Sequence, residues 1–326
     1  MIIKKDIIIL VLASTTDTTG SSGERYINFI NNYWSKIIKY IKRHKYSIKV
    51  YLLFGNDAKI DDLDLTEDDM LILNTKESLV PGILNKTIDS FKIINTLYNY
   101  KHIIRTNLSS FLIIDSLIKI SEQLKDTNIY DGIRTSRRVS GAGIWLSRDV
   151  VNYIIENESF LLRFKQDDDA IYNLLFRPYP LYPSVGYNTP DRWPPAPYAM
   201  IRQIPIHNIR RCDIVTTGTD INIYTPYEYI TPIIIKNEHE QCAFRIQMWW
   251  SHICGTYSSK MKVRAQQQID KEVIERKSGA IIIENNQFDN LLKKIKEEGH
   301  YHIRIKSGSE DIDNRIAQTF TDILYS

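Results

Sequence analysis

The first hundred residues alternate between short, almost wholly apolar runs and longer segments with helical periodicity, and this alternation limits the folds open to the chain. The apolar runs cover residues 7–14, 47–54, 70–74 and 102–106. Apolar residues recur at helical spacing over residues 24–44 and 85–98. Strands without a polar face are typical of parallel sheets that helices cover on both sides. The sequence therefore predicts an α/β fold with a mixed, mostly parallel sheet flanked by helices.

Polar loops follow three of the predicted strands, at Ser14-Thr15, at Gly55-Asn56 and at residues 106–109. In sheets of this kind ligands bind beyond the carboxyl ends of the strands, where such loops gather. Neither the G-x-G-x-x-G pattern of dinucleotide-binding proteins nor the G-x-x-x-x-G-K-[ST] pattern of P-loop proteins occurs in these loops. The two common nucleotide-binding motifs are therefore excluded, while the loops remain the expected place for a ligand.

Charge and cysteine content narrow the function classes further. The chain carries 42 Lys and Arg against 39 Asp and Glu, a formal charge of +3, which argues against a general nucleic-acid binder. Its three cysteines are too few for a disulfide framework and favour a reducing compartment. The apolar run that follows Asp6 is too short for a signal peptide or a membrane span. We expect a cytoplasmic protein with no membrane span and no nucleic-acid partner; its oligomeric state stays open.

Two blocks in the middle of the chain carry residues of chemical interest. The first, S-G-A-G-I-W-L-S-R-D-V at residues 140–150, contains Gly141, Ala142 and Gly143, small residues that let a backbone approach a ligand closely. We interpret these three as a turn. The second, K-Q-D-D-D-A-I at residues 165–171, holds three consecutive carboxylates. Acidic residues at a helix start also complement the helix dipole, and that alternative stays open.

These blocks belong to a longer series. In chain order it contains Tyr33-Trp34, V-Y-L-L-F-G at residues 50–55, K-E-S and L-N-K-T within residues 76–87, R-T-N-L-S-S-F at residues 105–111, the glycine block and Asp167-Asp168. The series resembles the inverting β-1,3-glycosyltransferases of the β-1,3-galactosyltransferase and Fringe type, in particular members from large DNA viruses. No single block is specific, but six occur in one order over residues 25–175.

The resemblance implies a GT-A-like fold and the transfer, with inversion, of a sugar from a nucleotide-sugar, foremost a UDP-sugar, to a glycan or glycoconjugate acceptor. It places the catalytic base at Asp168, with Asp167 in reserve, because inverting transfer needs a carboxylate that takes the proton from the acceptor hydroxyl. The residues that it places against the donor are Ser14, Thr15, Arg25, Arg105, Asn107, Ser109, Gly141, Ala142 and Gly143. Trp145, behind the glycines, is interpreted as a core residue.

The chain departs from the family at the metal-binding D-x-D motif. That place reads Asn107-Leu108-Ser109, without a carboxylate, whereas Mn²⁺ and Mg²⁺ prefer carboxylate oxygens. The resemblance therefore carries no metal ligand across, and Mn²⁺ is doubtful as a cofactor. Two interpretations follow: transfer without a metal, or a chain that has lost activity.

A basic strand near the C-terminus bears on this choice. In the segment at residues 300–306, His302, Arg304 and Lys306 alternate with apolar residues, so strand periodicity puts the basic side chains on one face. The resembling family has a comparable basic element there. These side chains are predicted to bind the donor diphosphate and stabilise the departing nucleotide. The alternative is an edge strand with an ordinary solvated basic face.

The sequence predicts one glycosyltransferase domain over residues 1–326. Residues 1–110 are the expected nucleotide-sugar-binding half and residues 111–326 the catalytic and acceptor half. Residues 178–284 form a tract that aligns with nothing and is expected to set acceptor specificity. The runner-up function is a catalytically silent module that binds carbohydrate or nucleotide. A nucleotidyltransferase fits less well, because phosphoryl transfer needs a metal held by carboxylates.

Overall fold

The computed structural model describes residues 2–15, 23–134, 139–163, 211–216, 230–235, 281–283, 302–305 and 310–325. The chain divides into two compact units. The first comprises Met1–Leu108 and Ser121–Ile206, and the second comprises Ser109–Ile120 and His207–Ser326.

The described strands are short and mostly apolar. In chain order they are β1 (Ile3–Lys4), β2 (Ile7–Leu12), β3 (Ile48–Gly55), β4 (Met70–Leu73), β5 (Tyr98–Asn99), β6 (His102–Asn107), β7 (Ser110–Leu112), β8 (Tyr130–Arg134), β9 (Val139–Ser147), β10 (Arg211–Thr216), β11 (Ile230–Ile235), β12 (Ile281–Ile283) and β13 (His302–Ile305).

The described helices lie between and after these strands. They are α1 (Gly23–Phe29), α2 (Ser35–Arg43), α3 (Gly82–Leu97), α4 (Ile114–Gln123), α5 (Arg148–Glu156), α6 (Glu158–Leu161) and α7 (Glu310–Tyr325). A π-helical turn, Ile30–Trp34, joins α1 to α2, and a 3-10 turn, Glu67–Asp69, precedes β4.

The first unit contains a six-stranded sheet in the order β4-β3-β2-β6-β9-β8. Strands β4, β3, β2 and β6 run parallel, β9 runs antiparallel to β6, and β8 runs antiparallel to β9. A separate two-residue pairing joins β1 to β5. The sheet is therefore mixed and mostly parallel, as the apolar runs predicted.

Both faces of strand β2 are buried, which explains its lack of polar residues. Ile8 and Leu10 belong to a core that also contains Ile88 and Phe91 of α3 and Val151 of α5. The side chains of Ile9 and Val11 project to the opposite face of the sheet and are fully buried there. A strand enclosed on both sides in this way gains stability from every residue, so a polar residue would cost free energy at any position.

Most sequence-based element predictions are confirmed, with ends displaced by a few residues. One is wrong: Gly141, Ala142 and Gly143 do not form a turn but lie within strand β9. The reason is register, since Gly143 pairs with Thr106 and the strand continues through Ile144 opposite Arg105. Pairing with β6 keeps the chain extended from Gly143 onward. Trp145, further along β9, is fully buried, as the core interpretation predicted.

The second unit contains a five-stranded sheet in the order β12-β11-β10-β13-β7. Its strands are parallel except β7, which runs antiparallel to β13. Helix α7 packs on β7: the ring centroids of Phe111 and Phe320 lie 5.4 Å apart, and the Tyr325 hydroxyl donates a hydrogen bond to the carbonyl of Leu112. The strand predicted at residues 300–306 is present as β13.

Candidate functional site at the carboxyl edge of the six-stranded sheet

The six-stranded sheet has a topological switch point between β2 and β6. From β2 the chain adds β3 and β4 on one side, then returns to place β6 on the other side. Loops after two such strands diverge and leave a crevice at their carboxyl ends, where ligands bind in open α/β sheets. Because β9 is antiparallel to β6, its first residues reach the same edge. This edge is the candidate site.

The edge brings together six of the residues that the sequence predicted to bind a nucleotide-sugar: Ser14, Thr15, Arg105, Asn107, Gly141 and Gly143. Leu12 and Asn107, the last residues of β2 and β6, lie opposite each other in register. Thr15 is buried, and its hydroxyl accepts a hydrogen bond from the backbone N–H of Lys59 at 2.8 Å. Arg25 lies in α1, and Ala142 lies between the two glycines in β9.

Arg105 is a buried cation in this edge. Its guanidinium donates to the Asn107 side-chain oxygen at 2.9 Å and to the backbone carbonyl of Gly141. Only 3% of Arg105 is exposed. A planar guanidinium with several donors can link a side chain and a backbone carbonyl in a fixed geometry, which a lysine cannot do as well. Arg105 therefore joins the end of β6 to the start of β9.

The hydrogen bond from Arg105 to Asn107 affects whether this edge of the sheet can bind a metal ion. The side chain of Asn107 has one oxygen, and that oxygen already accepts from a cation. A second cation at the same oxygen would be repelled by the guanidinium, and amide oxygen is a weaker ligand than carboxylate for Mn²⁺ or Mg²⁺. In the part of the chain that the structure describes, no group of three His, Cys, Asp or Glu side chains is placed to hold a metal ion. The described residues do not fit the family's metal site.

A buried ion pair lies at the same edge, and no function was predicted for either member. The Lys86 ammonium lies 2.8 Å from a Glu77 carboxylate oxygen, and the two side chains are only 3% and 2% exposed. The ammonium also donates to the carbonyl of Ala13 at 2.8 Å and approaches the carbonyl of Leu53 at 3.5 Å. A usable sequence signal existed, because Lys86 is the single charged residue in the segment 78–88.

The surroundings of Lys86 affect its protonation. Burial lowers the pKa of Lys86 from its usual value, since removal from water disfavours the charged form. The Glu77 carboxylate opposes this shift, and the Arg105 guanidinium adds to it by repulsion. Lys86 and Arg105 therefore form a positive region at the strand ends, in which Glu77 compensates the lysine.

Three loops meet around this ion pair. A Glu77 carboxylate oxygen accepts from the backbone N–H of Gly55 at 2.5 Å, and the backbone N–H of Glu77 donates to Asp57 at 2.8 Å. Asn56 donates its backbone N–H to the carbonyl of Thr75 at 2.9 Å. A Cβ atom on Gly55 would lie 2.6 Å from the Thr75 oxygen, so the close approach requires glycine. The loops after β2, β3 and β4 are thus linked to one another.

A further contact fixes the residue after Asn107. The indole N–H of Trp34 donates to the carbonyl of Leu108 at 3.0 Å in a buried position. Trp34 stands in the π-helical turn, next to Tyr33, with ring centroids 5.0 Å apart. The Tyr33-Trp34 pair therefore supports the segment that follows the end of β6.

The remaining predicted residues belong to the second unit or lie outside the described residues. Ser109 begins the second unit. His302 is fully buried in β13, and Arg304 pairs in register with Ser110 and Asp213. The alternative of a solvated edge strand is wrong, because β13 has β10 on one side and β7 on the other.

Asp167, Asp168 and Lys306 lie outside the described residues, so their predicted roles stay predictions. The same holds for most of the tract at residues 178–284, in which only the three strands β10, β11 and β12 are described. Among the helices that the structure describes, none is long and apolar enough to cross a bilayer.

No protein-family model matches the chain, and no curated protein matches it.

Proposed function

We propose that this chain is a glycosyltransferase on a GT-A-like fold that transfers a sugar from a nucleotide-sugar to an acceptor hydroxyl with inversion and without a metal. The observation that carries the proposal is the contact of Arg105 with Asn107 at the switch point of the sheet. The resemblance expects a metal-bound carboxylate there, and the chain instead has a fixed positive charge held against a neutral amide.

The proposed chemistry is a single displacement. Asp168 takes the proton from the acceptor hydroxyl while the hydroxyl oxygen attacks the anomeric carbon of the donor from the opposite face. A glycosidic bond forms, the bond from the anomeric carbon to the diphosphate oxygen breaks, and the nucleoside diphosphate leaves with the electron pair. The assignment of Asp168 rests on the resemblance of the blocks at residues 140–149 and 165–171.

Charge on the departing diphosphate requires compensation, and preorganised cations can supply it. Arg105 contributes a positive potential at the carboxyl edge of the sheet, where its side chain is buried. Arg304 and Lys306 remain the cations predicted to contact the phosphates directly. Loss of nucleotide affinity in an Arg304→Ala, Lys306→Ala double variant would support that role, and unchanged affinity would contradict it.

One observation favours a second function, a catalytically silent module that binds nucleotide or carbohydrate. Asn107-Leu108-Ser109 has no carboxylate, and the Asn107 oxygen is occupied by Arg105. A chain that had lost its metal-binding carboxylates, and its activity with them, would still bind nucleotide at this edge. The two functions differ in turnover and not in binding.

The decisive experiment screens purified protein against UDP-, GDP-, CMP- and dTDP-sugars for binding and for slow hydrolysis of the donor, with EDTA or with Mn²⁺. Asp168→Asn is the test variant. Asp169→Asn is the matched control, because it removes a neighbouring carboxylate from the same acidic run.

Hydrolysis of one donor that resists EDTA, and that Asp168→Asn abolishes while Asp169→Asn does not, would support the metal-free transferase. Strict dependence on Mn²⁺ would contradict the metal-free mechanism. Binding without turnover, even with an acceptor panel, would favour the silent module. No binding to any donor would contradict the transferase and a silent module that binds nucleotide.

A further inference from the structure

The Lys86–Glu77 pair is a buried ion pair, and such pairs are unusual in a protein interior. Both side chains are almost fully buried, and the lysine also binds the carbonyls of Ala13 and Leu53. Burying two charges costs solvation free energy that their attraction often only just offsets, so apolar residues commonly serve stability equally well. The groups that the pair contacts therefore indicate whether it has a role beyond stability.

The groups bound by the pair share one location. Ala13 follows the last residue of β2, Leu53 and Gly55 lie at the end of β3, and Glu77 itself lies beyond β4. All are at the carboxyl ends of parallel strands, the edge at which α/β sheets bind ligands. The pair is thus placed among the loops of the candidate site and away from the middle of the core.

The loop after β2 is held from two sides. Lys86 binds the carbonyl of Ala13, and two residues later the Thr15 hydroxyl accepts from the backbone N–H of Lys59. Lys59 belongs to the loop after β3, which Glu77 and Asp57 attach to the loop after β4. Removing either charge of the pair would therefore loosen the segment that carries Ser14 and Thr15.

We propose that the Lys86–Glu77 ion pair positions the nucleotide-binding loops: it holds the loop after β2 in the conformation that receives the donor's nucleotide. This inference rests on the proposed function. Lys86 and Glu77 are positioning residues, because both are buried and act through the backbone of Ala13 and Gly55.

The test compares Glu77→Gln and Lys86→Gln with Asp69→Asn as the matched control. Asp69 is also a buried carboxylate paired with lysines, Lys42 and Lys49, but it precedes the first residue of β4, at the opposite edge of the sheet. Nucleotide affinity is measured by calorimetry with UDP, GDP, CMP and dTDP, at a temperature where circular dichroism shows every variant folded. Backbone hydrogen exchange is measured on peptides that cover residues 13–15, 55–59 and 74–77.

The expected result is that Glu77→Gln and Lys86→Gln weaken nucleotide binding about tenfold, as when the competent loop conformation falls to about a tenth of the population. Exchange in the three loops should accelerate in these variants. Asp69→Asn should change neither quantity by more than about twofold, even where it lowers the melting temperature. If Lys86→Gln does not fold, Glu77→Gln alone is compared with Asp69→Asn.

Two results would overturn the proposal: unchanged affinity and loop protection in folded Glu77→Gln, or an equal loss in Asp69→Asn. Failure of the wild-type protein to bind any of the four nucleotides would contradict the proposed function instead. In that case the exchange data decide the positioning role alone. Faster exchange confined to the three loops would support it, and unchanged exchange would contradict it.

Discussion

The ammonium group of Lys86 lies 2.8 Å from the backbone carbonyl of Ala13, a residue 73 positions earlier in the chain. The contact joins helix α3 to the end of β2, and Glu77 completes it from the loop after β4. One buried side chain therefore links helix α3 to the end of β2 and to the loop after β4, at the edge where the candidate site lies.

Glu77→Gln should destabilise the protein by about 3–5 kcal/mol, because it leaves the buried Lys86 charge without its counter-ion. The double variant Glu77→Gln, Lys86→Met should lose less free energy of unfolding than the two single variants together, since no buried charge remains. Urea unfolding of the four proteins measures this. Strict additivity of the two losses would show that the charges do not interact.

Gly55→Ala should destabilise the protein by about 1–3 kcal/mol, because the new methyl group would lie 2.6 Å from the Thr75 oxygen and 2.9 Å from the Glu77 nitrogen. The backbone of the loop after β4 would have to move away. Asn56→Ala, at the exposed neighbouring position, is the control and should stay within about 0.5 kcal/mol. Equal stability of Gly55→Ala and wild type in urea unfolding would contradict the close approach.

Trp34→Phe should cost about 1–3 kcal/mol beyond any loss of packing, because the buried carbonyl of Leu108 loses its donor. It should also weaken donor binding, since Leu108 follows Asn107. Ile37→Val, in the helix that continues from Trp34, removes only a methylene and is the control; its cost should be about 0.5–1.5 kcal/mol without a change in donor affinity. Unfolding curves and nucleotide titrations test the two effects separately.

His102 should make stability depend on pH. Burial lowers the pKa of this ring below its usual 6.5, although its hydrogen bond to the Lys125 carbonyl opposes the shift. The unfolded chain then binds a proton near pH 6.5 that the folded chain does not, so the free energy of unfolding falls as pH drops below 6.5. The loss ends once the folded ring is also protonated.

His102→Gln, which stays neutral throughout, should lose this component of the pH dependence. Urea unfolding between pH 8 and pH 5 compares the two proteins. Parallel curves for the variant and the wild type would show that the ring is not the group responsible.

The order of elements in the first unit could be predicted from sequence because its strands are enclosed on both faces. Such burial makes the runs at residues 7–14 and 47–54 almost wholly apolar, and that signal is local. The helical spacing of apolar residues in the segments that follow these runs is also a local signal. Strands β2 and β3, which are neighbours in the six-stranded sheet, could therefore be recognised without knowing which strands pair.

The parts that sequence reasoning missed depend on contacts distant in the chain. Glycines at positions 141 and 143 suggest a turn locally, but both lie in strand β9, whose antiparallel pairing with β6 includes Gly143. The hydrogen bond of Lys86 to Ala13 joins residues 73 positions apart, and that of Arg105 to Gly141 joins residues 36 positions apart. Local sequence periodicity does not predict hydrogen bonds of this kind. The sequence thus predicted the polar loops that meet at this edge, while the contacts that Lys86 and Arg105 make there came only from the structure.

The position of β13 in the second sheet has a consequence for synthesis on the ribosome. The last strand of the six-stranded sheet ends at Ser147, so that sheet can pair fully while the chain is still growing. Strand β7, made early, has to wait for β13 at His302–Ile305 before it gains its described partner. At ordinary translation speeds the delay is about 10–40 s. During that interval the apolar strand β7 is exposed to chaperones and to neighbouring nascent chains.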